Sequence, residues 1–236
     1  MKRFWNWTQT DSGRDLFLEG VIAEEIWWGD EVTPAQFKSD LMAGNGPVCV
    51  HINSPGGDCV AASMIYTMLK EYADEVTVKI DGMAASAASV IAMAGNKVLM
   101  SPTSIMMIHN PFTIAMGDSD EMRKAIQLLD EVKEAIINAY EIKTGMSRTK
   151  LAHLMDAETW MSAHTALDMG FCDEVMFEDK STDGFVNNSF VFSRRAVTNC
   201  LLDKLQAKAS KPVEPVNEEK RVMASALQRR LALLRY

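Results

Sequence analysis

The chain has 236 residues, 47% of them hydrophobic and 24% charged, with a net charge of −8. That length allows one sizeable domain plus an extension, and the acidic balance argues against a general nucleic-acid binder. No run reaches the roughly 18 apolar residues a membrane-spanning helix needs, and Met1-Lys-Arg-Phe-Trp-Asn-Trp7 turns polar too early for a signal peptide.

Residues 1–15 read as a polar N-terminal arm carrying two exposed tryptophans, Trp5 and Trp7. Leu16–Ile22 is a first strand. Trp27-Trp28-Gly-Asp-Glu follows, and Thr33-Pro34 starts a helix with a cap and a first-turn proline. That helix ends at Gly44-Asn-Gly-Pro47. Val48-Cys-Val-His-Ile52 is apolar enough for a strand buried on both faces. Asn53-Ser-Pro-Gly-Gly57 is a turn that needs unusual backbone angles. A helix over 59–72 follows, then strands at 75–80, 97–100 and 104–109. Strand and helix alternate from 16 to 109, which predicts a mostly parallel sheet with right-handed crossovers.

Beyond a loop at 113–118, Met122, Ile126, Leu129, Val132, Ile136 and Tyr140 stripe one long helix that ends near Lys143. A short helix (148–155), a second over 162–169 and a closing strand at 171–177 complete the domain. After Glu178 the texture changes to a polar, linker-bearing extension with amphipathic stretches at about 196–209 and 218–235. Cys200–Tyr236 holds eight Lys/Arg against four Asp/Glu, a net of +4 that leaves −12 for the rest. Such basic amphipathic helices bind a membrane surface, a partner or their own oligomer. The four cysteines match no zinc or redox spacing, and Cys49 reads as a small core residue. A reducing, cytoplasmic setting and no metal or cofactor are the expectations.

One stretch concentrates chemistry. Asp81-Gly-Met-Ala-Ala-Ser-Ala-Ala-Ser-Val-Ile-Ala-Met-Ala-Gly95 sets Ser86 among small residues at a strand-to-helix junction, where backbone N–H groups converge. The plain alternative is a tightly packed Ala/Ser core helix. A serine nucleophile needs a base and an acid to orient that base. Of the four histidines, His51 sits in an apolar strand, and His153 and His164 lie on short polar helices. His109 ends a buried strand before Asn110-Pro111, where sites of parallel sheets lie. Gly56-Gly57 and Ala87 have backbone N–H groups that suit an oxyanion hole, although Pro-Gly-Gly by itself is also just a turn.

Asn53-Ser-Pro-Gly-Gly57, Gly82-Met-Ala-Ala-Ser86 and Met107-Ile-His-Asn-Pro111 stand in order at close spacings. Together they resemble the Clp protease proteolytic subunit, a family of self-compartmentalised serine peptidases, over roughly residues 16–177. The resemblance implies an α/β fold of the ClpP/crotonase type, a parallel-sheet ββα-repeat core with a protruding strand-helix handle at 113–143. It implies Ser86 as nucleophile, His109 as general base, and the N–H groups of Gly57 and Ala87 as oxyanion hole. The family's acid is an aspartate two residues before an aromatic. Here Glu158 holds that place before Trp160, with Asp156 as the alternative acid. The loop Phe112–Gly117 lacks the family's usual glycine pair. Met1–Arg14 carries no recognisable docking sites for a chaperone ring, so no ATPase partner is assumed.

Phe17–Pro34 resembles the Clp-like head maturation proteases of bacteriophages and prophages. This implies a homo-oligomeric ring whose protein substrates are scaffold and capsid proteins, working in the host cytoplasm or inside the assembling prohead. The expected division is an arm at 1–15, a protease domain at 16–178 and a C-terminal extension at 179–236. Two other readings stand beside it: a non-catalytic assembly protein, and a crotonase-type acyl-CoA enzyme that would use the oxyanion hole without a Ser-His pair.

Overall fold

The computed structural model describes residues 4–10, 13–22 and 34–178. The expectations for Trp27, Trp28, the Thr33 cap and the two amphipathic stretches after Glu178 lie outside the described residues. In chain order the elements are β1 (Trp5–Thr10), β2 (Gly13–Glu19), α1 (Pro34–Met42), β3 (Val48–Ser54), α2 (Cys59–Lys70), β4 (Val76–Ala85) and α3 (Ala87–Ala92). Then come β5 (Lys97–Met100), β6 (Ile105–Ile108), α4 (Ser119–Thr144), α5 (Arg148–Asp156), β7 (Thr159–Ser162), α6 (Ala163–Asp168) and β8 (Glu174–Val175).

Among the described residues the strands make one sheet in the order β1-β2-β3-β4-β5-β8, with β6 joined to β4 and β7 joined to β6. The pairs β2–β3, β3–β4, β4–β5, β4–β6 and β5–β8 are parallel, as the alternation of strand and helix predicts. The pairs β1–β2 and β6–β7 are antiparallel. Along β3, Val48, Val50 and Ile52 are buried to 1% exposure or less, whereas Cys49 and His51 are half-buried on the opposite face. The strand is therefore not buried on both sides. Its core face packs with Phe37 and Leu41 of α1, Ile65 and Leu69 of α2, and Ile91 of α3.

The N-terminal tryptophans are not free. Trp5 is 4% exposed, lies edge-on to Phe37 with centroids 5.3 Å apart, and donates from Nε1 to Asp40 Oδ2 at 3.1 Å. Burying an indole removes about 200 Å² from water and stabilises the fold by on the order of 5 kcal/mol. Arg14 lies over the Trp7 ring at 4.3 Å and donates to the Leu41, Gly44 and Asp40 carbonyls near the end of α1. It thereby satisfies carbonyls that a helix end leaves without intrahelical partners. Residues read as an arm thus form the sheet's edge strand β1. Polar composition hid this, because only two of its side chains carry the packing.

The long helix starts on Asp118, whose carboxylate accepts from the N–H groups of Asp120 and Glu121, and it stops at Gly145 with φ 66. Its core contacts, Ile136, Ile137, Ala139 and Tyr140, fall in its C-terminal half, while Ile126 is 58% and Leu128 61% exposed. The expected handle strand is not formed: residues 109–116 carry no regular structure, and Phe112, Ile114 and Met116 are exposed. A strand needs a neighbour for its ladder hydrogen bonds, and no described strand pairs with this segment.

Candidate active site

Strand β4 changes partner along its length, and this change builds the site. Its first part, Thr77–Ile80, pairs with β5, and its last part, Met83–Ala85, pairs with β6. Ser86 comes next, at the mouth where β4 and β6 part from β5. The parallel register Ala85↔Met107 puts His109 just beyond Ser86 on the neighbouring strand. In the result His109 Nε2 lies 2.7 Å from Ser86 Oγ. Sequence spacing alone could not bring these groups together, because 23 residues separate them.

Ser86 is held in a conformation few side-chain residues adopt, with φ 55 and ψ −126. Such strain costs on the order of 1–3 kcal/mol and persists only where surroundings over-determine it. The surroundings are visible. Its N–H donates to the Met107 carbonyl at 2.9 Å, and its own carbonyl accepts from Ser89 N–H at 2.9 Å and Ser89 Oγ at 2.5 Å. Ser89 Oγ in turn bonds the buried Tyr140 hydroxyl at 2.8 Å, which ties the elbow to α4. The small residues around Ser86 have a matching cause: Ala84, Ala85, Ala87 and Ala88 are buried to 2% exposure or less.

The Pro55-Gly-Gly57 turn presses against this elbow. A Cβ on Gly56, at φ 97, would lie 2.6 Å from Ser86 Cβ and 3.0 Å from Ala87 N, and one on Gly57 would lie 1.8 Å from the Ile22 carbonyl oxygen. Neither position admits a side chain. Gly57 bridges to Ile22 in parallel fashion, through Ile22 N–H to the Gly56 carbonyl and Asp58 N–H to the Ile22 carbonyl. That pattern does not use Gly57 N–H, which faces away from Ile22. Ala87 N–H opens α3, where helical geometry supplies no partner. Ala87 N–H thus adjoins Ser86 in the chain, and the Gly56-Gly57 turn packs against the same elbow from a separate element.

The third group follows from β7. The antiparallel register Ile108↔Thr159 makes Glu158 the residue opposite His109. Glu158 is half-buried at φ 50, and its Oε1 accepts from Trp160 Nε1 at 3.4 Å. Asp156 lies exposed and accepts from Lys133 Nζ at 2.6 Å and Asn110 Nδ2 at 2.8 Å, the lysine first and then the amide holding its carboxyl below its ordinary value. Its charge is engaged by Lys133, whereas the charge of Glu158 acts on His109.

Electrostatics separate the histidines. Burial pushes His109 below its ordinary value, with the Glu158 charge opposing, so the ring is neutral at pH 7 and able to accept a proton. His51 behaves in the opposite way: hydrogen bonds to Cys49 and then Asp81 outweigh burial and push it up to about 9. A ring already protonated at neutral pH makes a poor base. His153 and His164 are exposed. Phe112, 72% exposed, brings its ring within 6.0 Å of His109.

Two features of the site escaped the sequence reading. The Ser89–Tyr140 tie spans 51 residues and has no local signal. Cys49 and His51, read as apolar-strand residues, face outward from β3 beside Asp15 and Asp81. The alternation Val48, Val50, Ile52 against Cys49, His51 was the one available cue.

Comparison with known proteins bears on the same region. The family model described as Clp protease matches residues 10–179. ATP-dependent Clp protease proteolytic subunit 1 of Chlamydia muridarum is 30% identical over 179 residues, covering 71% of this chain and 88% of the relative. The ATP-dependent Clp protease proteolytic subunit of Bacteroides fragilis is 32% identical over 166 residues, covering 70% of this chain and 75% of the relative. Among solved structures, a ClpP1 mutant from Listeria monocytogenes is similar with a TM-score of 0.60 at 25% identity, covering 70% of this chain and 92% of that one.

Proposed function

The chain belongs to the Clp protease family, and from that premise we propose that it is a serine endopeptidase working through Ser86, His109 and Glu158. Ser86 Oγ attacks the scissile carbonyl while its proton passes to His109 Nε2. The tetrahedral oxyanion is received by the N–H groups of Gly57 and Ala87. His109 then protonates the departing amine, and a water activated the same way releases the acyl group from Ser86. Glu158 orients the imidazole and favours its charged form as the proton arrives. The observation that carries this reading is the 2.7 Å approach of His109 Nε2 to Ser86 Oγ at a strained strand-to-helix elbow.

The finer reading is a homo-oligomeric ring acting on phage scaffold and capsid proteins during prohead maturation. Its support is the resemblance of Phe17–Pro34 to the phage branch and the extension after Glu178. ATP dependence, part of the relatives' names, needs a partner ring for which Met1–Arg14 offers no recognised docking site.

The test is a fluorophosphonate probe on the purified chain, read by intact mass beside Ser86→Ala and His109→Ala. Wild type gains one adduct and the two variants none. Failure of wild type to label in any assembly state would replace the peptidase by a non-catalytic assembly protein. Loss of mass after residue 178, in wild type alone, would identify the extension as the enzyme's own substrate.

A further inference from the structure

Away from Ser86, the open face of the sheet carries a second constellation that the peptidase reading leaves unused. Asp15 on β2 and Cys49 on β3 are register partners, and His51 follows Cys49 on the same face of β3. One carboxylate oxygen of Asp15, Cys49 Sγ and a ring nitrogen of His51 lie within 4.8 Å of one another, all on half-buried residues. Cys49 Sγ stands 3.4 Å from His51 Nε2. The other ring nitrogen, Nδ1, is 2.8 Å from Asp81 Oδ2 on β4. Phe17 stacks on the His51 ring at 4.7 Å with planes 17° apart, which fixes its orientation.

We propose that Asp15, Cys49 and His51 form a zinc site, with Asp81 as the carboxylate that orients His51. Zinc takes thiolate at about 2.3 Å and imidazole at about 2.0–2.1 Å, so two such ligands at the tetrahedral angle sit about 3.5 Å apart. The Cys49–His51 separation of 3.4 Å is already that edge. A thiolate and a carboxylate neutralise the dication, and His51 Nε2, which gives up its proton to solvent as the ion binds, completes a three-ligand set that leaves the fourth position to water. Metal-bound histidines characteristically donate their other N–H to a carboxylate, the role Asp81 fills here. The donor set, one sulfur, one nitrogen and one oxygen, suits zinc better than magnesium or calcium, which prefer oxygen alone. The ion joins β2 to β3 directly and β4 through Asp81, the strands that lead to Gly57 and Ser86.

The experiment uses the full chain, stripped with a chelator and titrated with zinc against a chromophoric competitor, then with cobalt(II) for its spectrum. Wild type binds one zinc per chain, and its cobalt form shows thiolate-to-metal charge-transfer absorption in the near ultraviolet. Cys49→Ser abolishes that absorption. Asp81→Asn, a surface change that leaves the three ligands in place, weakens zinc binding by about 10–100-fold. Ser86→Ala binds zinc as wild type does, which keeps the result independent of the peptidase reading. Absence of zinc binding by folded wild type, or charge-transfer absorption that survives Cys49→Ser, overturns the proposal.

Discussion

The molecule holds two similar-looking sets of side chains in different places. At the ends of β4 and β6 and just before β7 stand Ser86, His109 and Glu158. In mid-sheet, on the open face of β2–β4, stand Cys49, His51 and Asp81. Each set has a nucleophilic atom within hydrogen-bond range of an imidazole, at 2.7 Å and 3.4 Å, and a carboxylate nearby. The environments differ in two respects. Burial holds His109 below its ordinary value, whereas its partners push His51 up to about 9. The backbone differs as well. Around Cys49 the peptide groups belong to the β2–β3 and β3–β4 ladders, so few donors remain for a developing oxyanion. Around Ser86 the strand has ended, and the N–H groups of Gly57 and Ala87 lie outside any ladder. Oxyanion stabilisation needs backbone donors left over from pairing, and in a parallel sheet these are found at strand ends.

The largest effect is expected at the nucleophile. Ser86→Ala lowers turnover of a fluorogenic peptide by on the order of 10⁴-fold or more with little change in thermal unfolding. Residual activity above that level would move the chemistry away from the strand-end site. Glu158→Gln comes next, at about 10³-fold in kcat, with Asp156→Asn within a few-fold of wild type. The pH profile sharpens this arm. Because burial lowers His109, the acid limb of kcat/KM lies below 6.5, the ordinary histidine value. Glu158 favours the protonated ring, so its loss moves the limb to still lower pH; a limb that moves upward would remove Glu158 from this role.

Gly56→Ala tests the close packing of the Pro-Gly-Gly turn on the Ser86 elbow. Its new Cβ would meet Ser86 Cβ at 2.6 Å with φ 97, so turnover falls by about 10²-fold and urea unfolding shows a loss of about 2–3 kcal/mol. Gly46→Ala, at φ 90 with nothing within 4 Å, costs only about 1 kcal/mol of backbone strain and leaves turnover intact. Equal effects at both glycines would mean that strain, and not the approach to Ser86, decides. The smallest effect is expected at His164, exposed and paired with Glu178 at 3.1 Å. His164→Gln leaves turnover within two-fold, about 0.4 kcal/mol or less by the tenfold-per-1.36 rule.

A stability consequence follows for His109. Its folded value lies below its unfolded value, so between the two the unfolded chain binds more protons and stability rises with pH. Urea unfolding of His109→Gln lacks that rise over the range just below pH 6.5.

Much of this arrangement was legible in the residues themselves. The alternation of strands and helices pointed to a parallel sheet, and the order Pro-Gly-Gly, Ala-Ala-Ser, Ile-His-Asn-Pro pointed to Ser86, His109, Gly57 and Ala87 as one group. The grouping came through the resemblance to the Clp protease family; taken one at a time, the Pro-Gly-Gly turn, the alanine-rich stretch and the strand-end histidine each also had a plain structural reading. The N-terminal strand was not legible, because Trp5 and Trp7 anchor it through Phe37, Asp40 and Arg14, three partners remote in the chain or across a hairpin.

The residues alone specify a set of groups and their order: a serine at an elbow, a histidine at a strand end, a turn that only glycine can make. Which of these groups meet depends on how the strands pair in the folded sheet. The change of partner along β4 set Ser86 against His109, the β6–β7 register chose Glu158 over Asp156 as the residue opposite it, and β2–β3 pairing gathered Asp15, Cys49 and His51. The reason is geometric. Propensity and packing preference act over a few residues, but a distance between side chains on separate strands is set by register, and register is fixed only when the whole sheet pairs and one face is buried.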